Sequence, residues 1–143
     1  MKKFSVTIRS DGNSLFRSLA YVLTLHPDDD ENCRHIAIRF LIRGFISRDP
    51  HRYLGSVQEE DIDEYLDKLV QFDSEGNGMV GTDVEIQAAA DLFQTTIWCY
   101  CQKPGEGEGS IWVEFRPETN SYPEEAIYLE NLNSHFEPVC NQW

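Results

Sequence analysis

Ser14, His135 and Glu137 are the residues whose types and surroundings suit nucleophilic and acid–base chemistry. Ser14 follows the turn residues Asp11, Gly12 and Asn13 and opens an apolar helical pattern, "SDGNSLFRSL". A nucleophile at a helix start meets the positive end of the helix dipole. The turn ahead of it can present backbone N–H groups to a developing oxyanion. His135 begins a late strand directly after a turn. Residues two apart on a strand share a face, so Glu137 lies beside it and Asn133 can approach from the other side. Either can hold the imidazole in one tautomer. Alone, "DGNS" reads as an Asx-type turn with a serine near a helix start, and His–x–Glu as a surface pair. Together they describe a nucleophile whose proton a distant histidine takes.

The other candidates are weaker. His26 adjoins Pro27 at a helix end, His35 lies inside a helix, and His51 sits in the loop "RDPHRY". Cys33, His35, Cys99 and Cys101 could be gathered into a metal site, and Cys99 and Cys101 share one side of a strand. Their spacing fits no familiar zinc pattern, and cysteines bury well as small apolar groups. Neither a metal nor a cofactor is expected.

The elements that must position these residues follow from the patterning. The chain has 143 residues, 41% hydrophobic and 12% aromatic, which suits a single domain spanning 1–143. Its formal net charge is −13, which disfavours nucleic acid and anionic lipid and favours a basic partner. The acidic runs "HPDDDEN" and "QEEDIDEYLDK" read as solvated faces. There is no secretory signal and no run long enough to span a membrane. Four cysteines without a dense framework fit a reduced compartment, so an intracellular, cytoplasmic monomer is expected.

"FSVTIRS" alternates like a short strand. A first helix runs from Ser14, with Leu15, Leu19, Val22 and Leu23 at helical spacing, and Pro27 closes it. "DDDENCRHIAIRFLIRGFISRD" reads as a second helix, its apolar contacts from Ile36, Phe40, Leu41 and Ile42 and its far end weakened by Gly44. "VQEEDIDEYLDKLVQF" is a third, with Ile62, Tyr65, Leu66, Leu69 and Val70 on one side. "DSEGNGMVG" is a loop, and "TDVEIQAAADLFQ" is a fourth helix capped by Thr82 or Asp83. "TTIWCYC" and "IWVEF" form a hairpin through "GEGEGS", and "AIYLEN" and "SHFEPVC" are the last strands. Helices first and strands later argue for an α+β domain.

The pairing of a helix-start nucleophile with a late-strand histidine is that of papain-like cysteine proteases, with serine at position 14. "DGNSLFRSLA" resembles the signature "DGNCLFRAL" of the ovarian tumour (OTU) family of deubiquitinases. "VGTDVEIQAAADLFQTTIWCY" resembles that family's second block, and "IYLENLNSHFEPV" its third, which carries a catalytic histidine followed by an aromatic. The three blocks stand in the family's order and span residues 9 to 140.

The resemblance implies a papain-like fold, a small mixed sheet flanked by helices. It implies cleavage of the bond after the C-terminal glycine of ubiquitin, with ubiquitin, polyubiquitin or ubiquitin-like modifiers as partners. Ser14 stands in the place of the nucleophilic cysteine, His135 matches the general base, and Glu137 the residue that orients it. Asp11, Gly12 and Asn13 match the oxyanion turn. Met79, Val80 and Gly81 match a substrate-binding loop, with Val80 where an aromatic usually stands.

A thiol with an ordinary pKa of about 8.5 is readily ionised at such a place, and a hydroxyl is a far weaker acid. The serine form is therefore expected to bind ubiquitin with severely reduced turnover. Serine is read here as a replacement for cysteine rather than the mark of a natural pseudoenzyme. Asp11, Asn13, His135 and Glu137 all remain suited to catalysis, which a long-inactive enzyme has no chemical reason to keep.

Overall fold

A computed structural model describes residues 2–5, 7–9, 11–24, 34–101, 111–118 and 126–142. The elements run β1 (Lys2–Ser5), α1 (Ser14–Thr24), α2 (Arg34–Arg48), α3 (Pro50–Leu54), α4 (Glu59–Leu69), α5 (Asp83–Phe93), β2 (Ile97–Cys101), β3 (Ile111–Phe115), β4 (Ile127–Leu132) and β5 (His135–Gln142). His26, Pro27, Cys33, the acidic start expected for the second helix and the "GEGEGS" turn lie outside the described residues.

The five strands form one sheet in the order β1-β5-β4-β2-β3. β2 and β3 pair antiparallel, as expected of a hairpin, and so do β4 and β5. β2 and β4 run parallel, which makes the sheet mixed. β1 pairs antiparallel with the far half of β5, Ser5 opposite Val139. The strand expected over "FSVTIRS" is thus shorter than its alternation suggested. Residues 7–9 leave the ladder and pass beside β5.

Alternation along the strands decides which face is covered. Ile97, Cys99, Leu129, Phe115 and Phe136 are buried and share one core cluster with the helices. From α1 the core takes Leu15, Phe16, Leu19 and Ala20; from α5 it takes Ile86 and Ala88–Ala90. Ala88, Ala89 and Ala90 are all fully buried, so this face of α5 packs with small side chains.

α2 differs from the expected face. Ile38, Ile42 and Ile46 are buried, one turn apart, while Phe40 and Leu41 are 53% and 51% exposed. The buried stripe also includes His35 and Arg39, so polar residues occupy core positions and apolar ones face out. The helix runs through Gly44 to Arg48, close to the end that the pattern gave it. "RDPHRY" is not a loop but holds α3, a short helix with proline in its first turn, where the missing N–H costs nothing. On α5, Thr82 is the cap, not Asp83. Its hydroxyl accepts the Val84 amide, while Glu85 Oε1 accepts the Thr82 amide at 2.6 Å and hydroxyl at 2.9 Å. Such a cap contributes about 1 kcal/mol.

Candidate active site

The start of α1 is built by its own leading turn. The Asn13 carbonyl accepts the first intrahelical bond, from the Arg17 amide at 2.8 Å, so Ser14 is the first helical residue. Gly12 has φ +78°, a conformation that glycine adopts without strain. The Asp11 carboxylate accepts the Asn13 amide at 3.1 Å, closing an Asx turn. It also takes a two-nitrogen grip from Arg17, through Nε at 3.1 Å and Nη2 at 2.7 Å. Burial opposes ionisation of Asp11, but the bonds from Arg17 and Asn13 outweigh it and hold the carboxyl below its ordinary value. Asp11 thus organises the turn. The Asn13 amide is committed to Asp11 and is not a free donor for an oxyanion.

β5 crosses in front of this helix start. The Phe136 amide donates to Ser14 Oγ at 2.9 Å, and the Ser18 hydroxyl donates to the Phe136 carbonyl at 3.1 Å. Two serines one turn apart therefore hold one residue of β5, and both are buried. His135, the neighbour of Phe136, points its Nε2 at Glu137 Oε2, 3.3 Å away. In the tautomer that donates Nε2–H to this carboxylate, Nδ1 is the ring nitrogen left for a neighbour. The Ile8 amide donates to the same Glu137 oxygen at 3.0 Å. Residues 7–9 thereby fix the carboxylate that orients the imidazole. Of the two expected neighbours, Glu137 is the one within hydrogen-bonding distance of the imidazole, while Asn133 is exposed in the β4–β5 turn with φ +51°. Among the described residues no hydrogen bond joins Ser14 Oγ to the His135 ring.

The loop of residues 70–81 closes the third side. Phe72 and Gly78 form an isolated antiparallel bridge, and Asp73 Oδ1 accepts the amides of Glu75 and Asn77. Asn13 Nδ2 donates to the Gly76 carbonyl at 2.9 Å, tying the loop to the turn before Ser14. Gly81 lies against the first turn of α1, where a Cβ would stand 2.2 Å from Leu15 Cδ2. Val80 is exposed beside it. The structure thus brings Asp11, Gly12, Asn13, Ser14, Gly81, His135 and Glu137 around one junction.

Sequence patterning missed Arg39. It is fully buried and donates to the carbonyls of Leu69, Gly12 and Met79 and to Asn13 Oδ1. Its guanidinium lies 3.9 Å from the centre of the Phe16 ring. Burial pulls its pKa down to about 10, while Glu85 and Asp11 pull it upward. Glu85 is buried too, bonded to the Tyr65 hydroxyl as well as to Thr82. An arginine inside the buried stripe of α2 was the one available signal.

His35 is a core residue, buried and edge-on to Phe72 with ring centres 6.2 Å apart. Cys99 and Cys101 are free thiols with Sγ atoms 3.8 Å apart, and burial pushes the Cys99 thiol well above its ordinary range. Among the described residues, no three His, Cys, Asp or Glu side chains converge as a metal site would need. No described helix is long and apolar enough to cross a membrane.

No family model matches the sequence, and no curated protein matches it. Solved structures do. The OTU domain of OTUD1 is similar with a TM-score of 0.77 at 16% identity, over 97% of this chain and 86% of that one. The Hazara virus OTU, solved bound to ubiquitin, gives 0.73 at 16% identity over 99% and 82%. An OTU deubiquitinase from Wolbachia pipientis wMel, also bound to ubiquitin, gives 0.69 at 13% identity over 97% and 96%. The chain has the papain-like α+β fold of OTU domains.

Proposed function

We propose that the chain is a deubiquitinase-type domain that binds ubiquitin, with serine at the nucleophile position and turnover nearly abolished. One observation carries this reading: Ser14, at the start of α1, is held by the residue next to a His135–Glu137 pair. Two bound-ubiquitin complexes among the similar structures supply the partner. A net charge of −13 suits the basic face and tail of ubiquitin.

With cysteine at position 14, His135 Nδ1 takes the thiol proton. The thiolate attacks the carbonyl carbon of the terminal glycine, and the amides at the start of α1 face the resulting oxyanion. His135 returns the proton to the leaving amine, and water then hydrolyses the thioester by the same route. Glu137 holds the imidazole throughout. Serine stalls the first step, because its hydroxyl neither ionises readily nor bonds to His135 here. Asp11, Asn13, His135 and Glu137 around it support reading the serine as a replacement in an otherwise working site. Val80 and Gly81 flank the ubiquitin tail in this reading, and ubiquitin-like modifiers remain within its substrate class.

A second reading is a domain that only binds. It is favoured by the Ser14 hydroxyl acting as a buried acceptor for a β5 amide, a structural task independent of catalysis. The deciding experiment is release of a fluorophore from the ubiquitin C-terminus by the Ser14→Cys variant, with ubiquitin binding measured by calorimetry. Restored turnover that His135→Ala abolishes while binding persists supports the hydrolase. A variant that binds but stays inert leaves the binding domain, and one that neither binds nor cuts ends both readings.

A further inference from the structure

We propose that Arg39 is a positioning residue: its guanidinium clamps the loop of residues 76–79 onto the Gly12–Asn13 turn, and so sets where Ser14 stands relative to Val80 and Gly81. Nη2 reaches three acceptors on two different segments, Asn13 Oδ1 at 2.7 Å, the Met79 carbonyl at 2.7 Å and the Gly12 carbonyl at 3.3 Å. Nη1 reaches the Leu69 carbonyl, at the end of α4, at 3.0 Å. The plane is fixed by the Phe16 ring on one side, with Phe72 5.3 Å away. A point charge on a flexible stem cannot reproduce that fork.

The orientation of Asn13 follows from this. Arginine only donates, so Asn13 must turn Oδ1 toward Arg39 and Nδ2 toward the Gly76 carbonyl and Asp11 Oδ2. Asn13 is also the residue whose carbonyl starts α1. Arg39 therefore sets the phase of the first helical turn and the height of the loop with one group. The fit is tight from the loop side: a Cβ at Gly78 would come within 2.6 Å of Arg39 Nη2 and 2.8 Å of Asn13 Oδ1. Arg39 Nε is buried without a partner, a cost that plain core filling by an apolar side chain would avoid.

The catalytic consequence rests on the hydrolase reading; the clamp itself does not. Hydrogen exchange on the full chain tests the clamp directly. In Arg39→Lys, amides of residues 11–16 and 74–81 should exchange faster together, by about tenfold or more, with α5 and β4 unchanged. If the lysine variant does not fold, Gly78→Ala presses on the same junction and should loosen the same two segments. Unchanged exchange, loosening of one segment alone, or a uniform rise across the sheet overturns the proposal. In the Ser14→Cys background, Arg39→Lys should lower kcat roughly 10- to 100-fold and leave KM within about threefold. Equal kcat overturns the positioning role. If Ser14→Cys is itself inert, the hydrolase reading fails and the exchange pattern still decides on Arg39.

Discussion

The Phe136 amide and the Ser14 hydroxyl, 122 positions apart in the chain, share a buried hydrogen bond of 2.9 Å. The side chain at the nucleophile position is therefore also part of the packing between α1 and β5. Ser14→Ala should leave that amide without an acceptor and cost about 1–3 kcal/mol. Ser14→Cys, whose sulfur is a weak acceptor, should cost less. Denaturant unfolding of both variants checks the order, and an alanine variant as stable as the parent would remove the bond from the account.

Gly12 and Gly55 separate strain from collision. Both have positive φ, +78° and +73°. A Cβ at Gly12 would lie 2.6 Å from the Gly78 carbonyl oxygen, whereas nothing lies within 4 Å at Gly55. Gly55→Ala should cost only the conformational term, about 1–3 kcal/mol. Gly12→Ala should cost more and lower ubiquitin binding with it. Equal losses in thermal unfolding would show that the turn yields without harm.

The Asp11–Arg17 pair gives a pH dependence with a defined sign. The folded pKa of Asp11 lies below its ordinary value. Its contribution is therefore fully present above the unfolded pKa, near 3.9, and is lost as the pH falls through the folded pKa. The stability gap between the parent and Asp11→Asn should be widest at neutral pH and close in acid. A gap that widens on acidification contradicts the pairing.

Tyr65 and Glu85 test the buried network behind the loop. The Tyr65 hydroxyl donates to a Glu85 carboxylate that is wholly buried. Burial, then Glu85, pushes the Tyr65 pKa far above its ordinary value. Tyr65→Phe removes that donor and should cost about 1–3 kcal/mol by chemical unfolding. An unaffected midpoint would mean that the capping box alone satisfies Glu85.

Glu137→Gln tests the orienting acid. In the Ser14→Cys background it should lower kcat on the order of 100-fold while KM changes little. The Ile8 amide can still donate to the glutamine oxygen, so the fold should persist. Full activity in this variant would move the orienting task elsewhere.

Much of the fold was legible because its signals are local. The start of α5 at Thr82 or Asp83 and the strand character of β2 each show within a few residues, and only the partner of the cap, Glu85, had to come from the structure. The helix start at Ser14 was legible for the same reason, and so was the same-face pairing of His135 and Glu137. The buried face of α2 was not. Its stripe runs through His35 and Arg39, and hydropathy alone turns the helix toward Phe40 and Leu41. Arg39 Nη1 and Nη2 are satisfied in the core by carbonyls at residues 12, 69 and 79 and by the Asn13 side chain, places that no window on the sequence joins. The Ile8–Glu137 bond and the parallel β2–β4 pair are equally non-local.

β1 accompanies only the last part of β5, so among the described residues no strand pairs with the backbone at Phe136 on that side. Ser14 and Ser18 occupy its amide and carbonyl instead. A helix thereby seals what would otherwise be an open sheet margin, the kind of surface on which foreign chains dock and aggregates grow. A protein stripped of both hydroxyls would expose that margin. Its tendency to self-associate would then rise with concentration, whatever happened to its chemistry.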